Sequence, residues 1–365
     1  VCTYGDTMRV PASGSLSLIR AKARGGDIRM VYSAADALAL ARQNPQREVV
    51  FFAIGFETTT PPTALVIRQA AAENLRNFSV ICNHVLTPPA IDALLSAPAA
   101  PDTTRPRLDG ILGPAHVSVI IGSAPYAFAA SRHHTPVVIT GFEPLDVMQA
   151  VRMLVHQVNE GRAEVENEYT RAVTPAGNRK AQALMDAVLE LRATFAWRGL
   201  GELPASALRI RPAFAAWDAE AKFGLDDRPV PDHKSCECAA ILCGAKGPTD
   251  CKLFGTVCTP ETPMGACMVS SEGACAAHYN YGRFRDNDTL RFVFEKVLER
   301  CLAEGLVGGE GFAIDASVIK ADANRQKGVP GADAAAPPEA PPKKSKKPLI
   351  FGLILALLLG GGMTA

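Results

Sequence analysis

Seven of the ten cysteines in this 365-residue chain lie in one short segment, and this clustering constrains the fold more than any other feature. The segment contains Cys236, Cys238, Cys243, Cys251, Cys258, Cys267 and Cys275. In a reducing cytoplasm, clustered cysteines bind metal or perform redox chemistry more often than they form structural disulfides. The first residues have neither the basic start nor the apolar run of a secretory signal, so we expect a cytoplasmic protein.

The spacing of these cysteines bears on the metal they bind. Iron–sulfur cubanes take four cysteine thiolates. Zinc also accepts four thiolates, but zinc ribbons and fingers use C-x2-C pairs, and the segment has no such pair. An iron–sulfur centre is therefore the leading interpretation, with structural zinc or thiols without metal as alternatives. We expect Cys243 to be only a small buried apolar residue.

The first two hundred residues alternate short β-rich apolar runs with helical patterns, which is typical of βα units around a parallel sheet. The predicted strands are 28–32, 49–54, 79–82, 110–113 and 136–140. The predicted helices are 34–43, 62–73, 88–96, 117–130, 145–159 and 178–193. The expected fold class is α/β, with parallel-sheet βα domains plus a small irregular cysteine-rich iron–sulfur domain.

Polar residues in turns after predicted strands are candidates for a working cleft, because ligands bind at the carboxyl ends of parallel strands. His84 and His116 can orient a thiol or polarise a ligand, or they are hydrogen-bonded structural groups. Glu57 and Glu143 can act on a proton or a partner, or they cap helices.

Near the start of the chain, Asp6 and Arg9 either bracket the same cleft or pair with each other at the surface. Cys2 and Cys82 are candidate redox thiols, although Cys82 ends a buried strand and favours packing.

Five strings in this order resemble the HypD family of hydrogenase maturation proteins. They are residues 2–11, 55–59, 113–118, 141–146 and 268–277, and the resemblance covers about residues 1 to 282. It implies two α/β domains and a smaller domain with a [4Fe–4S] cluster. It also implies a HypC-type partner, on which the Fe(CN)2CO group is assembled, and a HypE-type cyanide donor.

The resemblance also suggests ligands. The family's cysteine pattern falls on Cys238, Cys251, Cys258 and Cys275, with Cys236 and Cys267 as a redox pair near the cluster. Alternatively Cys236 replaces Cys238 as the first ligand, and the thiol left over pairs with Cys267. The candidate cleft residues are Cys2, Asp6, His84, His116, Glu57 and Glu143.

The sequence departs from the family in two places. The family has a Cys-Gly-Gly-His and a Cys-Pro-Val-Cys string upstream of the motif at residues 2–6, and their thiols are thought to hold the iron precursor. We therefore expect an incomplete first domain and no hydrogenase maturation by this chain alone. Ala115 also stands where the family usually has glycine.

The expected domains are 1–48, the remainder of the first α/β domain; 49–145, the second; 146–200, a helical connection; and 201–282, the iron–sulfur domain. Residues 283–330 resemble a transposase fragment, 331–347 a linker, and 348–365 a FliL-like apolar tail. The apolar run within that tail, residues 349–359, is shorter than the about 20 residues that span a bilayer, so it is either the start of a cut-off membrane helix or a surface-seeking tail. Any membrane contact is expected through this tail. The 38 Lys and Arg residues balance 37 Asp and Glu residues, which argues against nucleic acid as a partner.

Overall fold

The structure is a computed structural model and describes residues 1–13, 16–96, 108–225 and 233–282. Within them the strands are β1 (Cys2–Thr3), β2 (Arg29–Met30), β3 (Val49–Gly55), β4 (Phe78–His84), β5 (Ile111–Pro114), β6 (Val137–Thr140), β7 (Val165–Asn167), β8 (Leu189–Leu191), β9 (Thr194–Trp197), β10 (Gly201–Pro204) and β11 (Leu208–Ile210). The helices are α1 (Leu18–Ala23), α2 (Ala34–Gln43), α3 (Thr60–Ala72), α4 (Thr87–Ser96), α5 (Ala115–Ile121), α6 (Ala127–His133), α7 (Pro144–Asn159), α8 (Arg179–Val188), α9 (Ala219–Phe223), α10 (Cys238–Leu242) and α11 (Ala274–Tyr281).

The first sheet has the strand order β2-β1-β3-β4, and all of its pairs are parallel. Its long central strand, β3, is continuously apolar. Successive residues of a strand point to opposite faces, and both Phe51 and Phe52 are buried, so both faces of this sheet are covered. The ladder between β3 and β4 ends at the pair Gly55 and His84, which brings the polar turns after these strands to one edge.

The second sheet has the order β5-β6-β7 and is also parallel. Ile111 of β5 and Ile139 of β6 form one core with Ile91 and Leu94 of α4. Helix α4 follows β4 of the first sheet along the chain, so its apolar face joins the two sheet units.

The chain then returns to the first sheet. Strand β8 pairs with β11 and β9 pairs with β10, both antiparallel. Leu189, Ile210 and Trp217 belong to the same buried core as Phe51. The first unit is thus completed by residues far along the sequence.

The parallel α/β class predicted from the sequence is confirmed, and so is helix 34–43. This helix, α2, begins with a reciprocal cap in which Ser33 Oγ accepts from Asp36 N at 3.2 Å and Asp36 Oδ2 accepts from Ser33 N at 2.9 Å.

Two predicted helices are wrong in extent. The helix expected over 117–130 is two helices, separated at Gly122, whose φ of +87° ends α5. The helix expected over 178–193 ends at Val188, because the following residues pair as β8 with β11.

The sheets divide the chain differently from the expected boundary after residue 48. Strands β3 and β4, which we expected to open a second domain, pair with β1 of the first sheet. The domain boundaries themselves remain a prediction. The predicted segments 283–330, 331–347 and 348–365 lie outside the described residues.

The cysteine-rich segment is a small irregular region with its own core of sulfur and apolar side chains. Its regular structure in the described residues consists of the short helices α10 and α11 and the 3-10 turns Pro248–Asp250 and Ala266–Met268. None of the helices in the described part of the chain combines the length and apolar character needed to cross a membrane.

Candidate metal centre and strand-end residues

Cysteines from separate loops of the cysteine-rich segment converge on one cavity. Ile241, Phe254 and Met268 supply its apolar wall. The cavity is also lined by Cys236, Cys238, Cys251, Cys258, Cys267 and Cys275. Gly244 and Gly255, both with positive φ, and Pro248 at the start of a 3-10 turn break the segment into turns between these residues.

One pair of these cysteines is oxidised. Cys238, the first residue of α10, forms a disulfide with Cys267 in the turn Ala266–Met268. This pairing differs from the first arrangement drawn from the resemblance, in which Cys267 pairs with Cys236. The alternative contains this pair of cysteines, and its assignment of Cys236 as a ligand remains a prediction.

The other four cysteines of the cavity, Cys236, Cys251, Cys258 and Cys275, are not part of a disulfide. Burial, and then the neighbouring thiols of Cys258, Cys236 and Cys251, raise the pKa of Cys275 to about 12. Burial also raises the pKa of Cys258, although backbone N–H groups of Met264 and Gly265 point to its sulfur and oppose the rise. These thiols would lose their protons on binding a cation, because a coordinated thiol is deprotonated by the metal.

The donor set, four cysteines that line one cavity outside the disulfide, has the number and type of ligands that a cubane takes. Among the described residues, no group of three or more His, Cys, Asp or Glu side chains is arranged to hold one metal ion. In a cubane each iron takes one cysteine, so the sulfurs stand farther apart than they do around one ion. The site also has a glycine cradle, since a Cβ at Gly265 would lie 2.5 Å from Cys236 Sγ.

At the end of the first sheet, Glu57 caps a helix. Its carboxylate accepts hydrogen bonds from Thr87 N at 2.8 Å and Thr87 Oγ1 at 2.9 Å, at the start of α4. The side chain is buried, and this burial raises the pKa of Glu57 to about 7. The capping alternative is thus realised, but on α4 rather than on α3, the helix that follows Glu57 along the chain.

His84 is fully buried beside this cap. Its Nε2 lies 2.9 Å from Thr63 Oγ1 and its Nδ1 lies 3.4 Å from the Gly55 carbonyl oxygen. Burial lowers the pKa of His84 to about 4, so the imidazole is neutral near pH 7. The contacts are those of a satisfied structural histidine.

His116 and Glu143 lie at the carboxyl edge of the second sheet. The His116 ring stacks on Phe142 with 5.1 Å between centroids, and its Nδ1 is buried with no hydrogen-bond partner in the described residues. Burial lowers the pKa of His116. Glu143 is exposed and reaches Arg171 at 3.3 Å.

Cys2 and Asp6 lie on the first unit. Cys2 is buried in β1, and this burial raises its thiol pKa despite the nearby N-terminal ammonium group. Asp6 accepts from Thr7 N at 2.9 Å and so begins the 3-10 turn Thr7–Arg9. The catalytic roles suggested for these strand-end residues remain predictions.

The sequence reasoning missed an ion pair at the edge of the second sheet. Asp146, buried in the first turn of α7, accepts from Arg171 Nη1 at 2.9 Å and Nη2 at 2.6 Å. Burial and then the charge of Asp146 raise the pKa of the neighbouring Glu168. Only Asp146 lay in a recognised string; nothing in the local sequence links it with Arg171.

Comparison with known proteins agrees with this architecture. Residues 1–282 match the family described as "HypD: Hydrogenase formation hypA family". The chain is 68% identical over 286 residues to the hydrogenase maturation factor HypD of Cupriavidus necator, covering 78% of this chain and 76% of that protein.

Two further relatives match at lower sequence identity. The chain is 63% identical over 285 residues to the hydrogenase expression/formation protein HupD of Azotobacter chroococcum, covering 78% of this chain and 75% of the relative. It is 46% identical over 280 residues to HypD of Escherichia coli, covering 77% and 73%. The five motifs, the α/β fold and these matches together show that the chain belongs to the HypD family of hydrogenase maturation factors.

Proposed function

We propose that this chain acts in hydrogenase maturation as a redox scaffold that holds a [4Fe–4S] cluster on Cys236, Cys251, Cys258 and Cys275. The observation that carries the proposal is the convergence of four further cysteines on the cavity that contains the Cys238–Cys267 disulfide. Because Cys238 is bonded to Cys267, Cys236 is the better first ligand.

The bound cluster would supply one-electron transfer next to a group that exchanges two electrons. Reduction of the Cys238–Cys267 disulfide takes up two electrons and two protons and yields two thiols. The disulfide lines the same cavity as the four proposed ligands, so the path between donor and acceptor is short. The apolar wall of Phe254, Met268 and Ile241 limits access of water to the sulfurs.

We infer that the electrons serve assembly of the Fe(CN)2CO group with a HypC-type chaperone and a HypE-type cyanide donor in the cytoplasm. This step rests on family membership. Anaerobic co-elution with a HypC-type protein is the expected result, and failure to form any complex under reducing and oxidising conditions would contradict the partner assignment.

The competing function is a binding module with a structural zinc ion on the same thiols. Zinc requires four ligands at about 2.0–2.3 Å from a single point. We favour the cluster because the segment lacks the C-x2-C pairs of zinc ribbons and fingers.

The ligand assignment is tested by four serine variants purified without oxygen. We expect C236S and C251S to lose iron, sulfide and visible colour, because each removes one ligand. C238S should keep the iron while leaving Cys267 without its partner. C243S is the matched control, because Cys243 lies outside the cavity and packs against the second core.

The results separate the alternatives. Loss of iron in C238S with retention in C236S would show that Cys238 is the ligand. A colourless wild-type protein containing zinc in place of iron and sulfide would show that the zinc module is correct.

A further inference from the structure

The loop after Cys258 folds back over its own cysteine. Met264 N lies 3.4 Å from Cys258 Sγ, and the amide of Gly265 also points to this sulfur. Between Cys258 and Met264 the chain makes a turn in which Thr262 N donates to the Thr259 carbonyl oxygen at 3.1 Å. The position of two N–H groups over Cys258 therefore depends on the conformation of residues 259–265.

A side chain from the first unit reaches this loop. Arg9 Nη1 donates to the Pro260 carbonyl oxygen at 3.2 Å, although the two residues are 251 positions apart. Arg9 ends the short 3-10 turn that Asp6 begins, so its backbone is held in place.

A second contact holds the two regions together beside this hydrogen bond. Val10, next to Arg9, packs in one buried apolar cluster with Phe52 and Ile54 of β3 and with Val269. Val269 directly follows the turn that carries Cys267. The cysteine-rich region is therefore docked on one face of the first sheet, and Arg9 lies at the edge of the docked surface.

We propose that Arg9 is a positioning residue for the Cys258 sulfur: its guanidinium fixes the Pro260 carbonyl and thereby holds the loop whose amides face that sulfur. As a statement about the metal centre, this rests on the proposed function, which makes Cys258 a ligand. As a statement about the loop, it concerns only the protein chain.

The role has a specific physical consequence. N–H groups directed at a ligand sulfur stabilise the negative charge that the sulfur carries, and such hydrogen bonds set the reduction potential of iron–sulfur sites. Loosening the loop should therefore make the reduction potential more negative and release iron to a chelator faster. An arginine that only stabilised the contact between the two regions would leave the reduction potential unchanged.

The test uses R9Q and R9K, with R24Q as the matched control because Arg24 is an exposed arginine on the same unit. Hydrogen exchange of the Met264 and Gly265 amides is measured first in the metal-free chain. A hydrogen bond from a charged group contributes about 1.5–3 kcal/mol, so we expect at least about tenfold faster exchange in R9Q and none of this change in R24Q. R9K should fall between them, since it keeps the charge but not the planar donor.

The second measurement is the midpoint potential of the iron-loaded protein by spectroscopic titration. A more negative potential in R9Q, partly restored in R9K, supports the proposal. Unchanged amide exchange in the metal-free R9Q chain overturns it, and so does faster exchange with an unchanged potential. If the wild-type chain binds no cluster, the proposed function fails, while the exchange experiment still decides whether Arg9 holds the loop.

Discussion

Replacing Glu57 by glutamine should make the protein more stable at alkaline pH and leave its stability in acid nearly unchanged. Glutamine keeps an oxygen that accepts from Thr87 N, and its amide can donate to the Thr87 hydroxyl. The helix cap on α4 is thus retained, while the ionisable group is removed. What changes is the cost of holding a negative charge in a buried position.

The magnitude follows from the pKa of Glu57, which burial raises from 4.5 to about 7. A folded-state pKa above the unfolded value means that the folded chain holds the proton more tightly. The stability that this tighter proton binding contributes to the folded chain is fully present below pH 4.5 and is lost as the pH rises through about 7. At about 1.4 kcal/mol per pKa unit, the wild-type chain should lose about 3 kcal/mol relative to E57Q by about pH 8.

Urea unfolding followed by tryptophan fluorescence across this pH range measures the effect. Trp197 is a suitable probe, because its ring centroid lies 6.2 Å from that of Phe56, the residue before Glu57. Groups that titrate equally in both chains, including His84, cancel in the difference between them. E202Q, at an exposed glutamate, is the control and should follow the wild type. A difference between E57Q and wild type that does not vary with pH would refute the reasoning.

Three further predictions follow from other parts of the fold. F51A should lower the free energy of unfolding by about 3–5 kcal/mol in urea titrations, because Phe51 is fully buried in the first sheet. D146N should lower the pKa of Glu168, measured by NMR titration, because it removes the Asp146 charge that, after burial, raises it; loss of one of the two hydrogen bonds from Arg171 should cost about 1–3 kcal/mol. Cutting the chain after Gly282 should raise solubility, because it removes the apolar tail at residues 348–365. The iron content should stay unchanged, because residues 283–365 share no motif with the family; loss of iron would show that they pack on the cysteine-rich region.

Elements with a local cause were predictable from the sequence, and elements with a distant cause were not. Helix α2 matches its prediction because Ser33 and Asp36 form its cap three residues apart. The break between α5 and α6 was missed because the apolar period continues across Gly122. Gly122 has a positive φ and closely approaches the Pro175 carbonyl oxygen, far along the chain.

The same distinction holds in the candidate site. The clustering of cysteines was visible in the sequence, but the choice between Cys236 and Cys238 depends on which sulfur meets Cys267 in space. Glu57 was recognised as either a functional carboxylate or a cap. Its partner Thr87 lies 30 positions away, so only the fold reveals which helix it caps.

The late completion of the first core affects how the chain is made. Its buried cluster runs from β1 to Trp217, whereas that of the second sheet ends at Val173. At ~5–20 residues per second, the ribosome needs on the order of 10 s to pass from β4 to Trp217. During that interval part of the apolar surface of β3 and β4 remains exposed, so chaperones can bind it or the chain can aggregate through it. Nascent chains of which residues up to about 200 have emerged from the ribosome should therefore be cleaved by protease in the first sheet before the second. The unit encoded first is the later of the two to be completed.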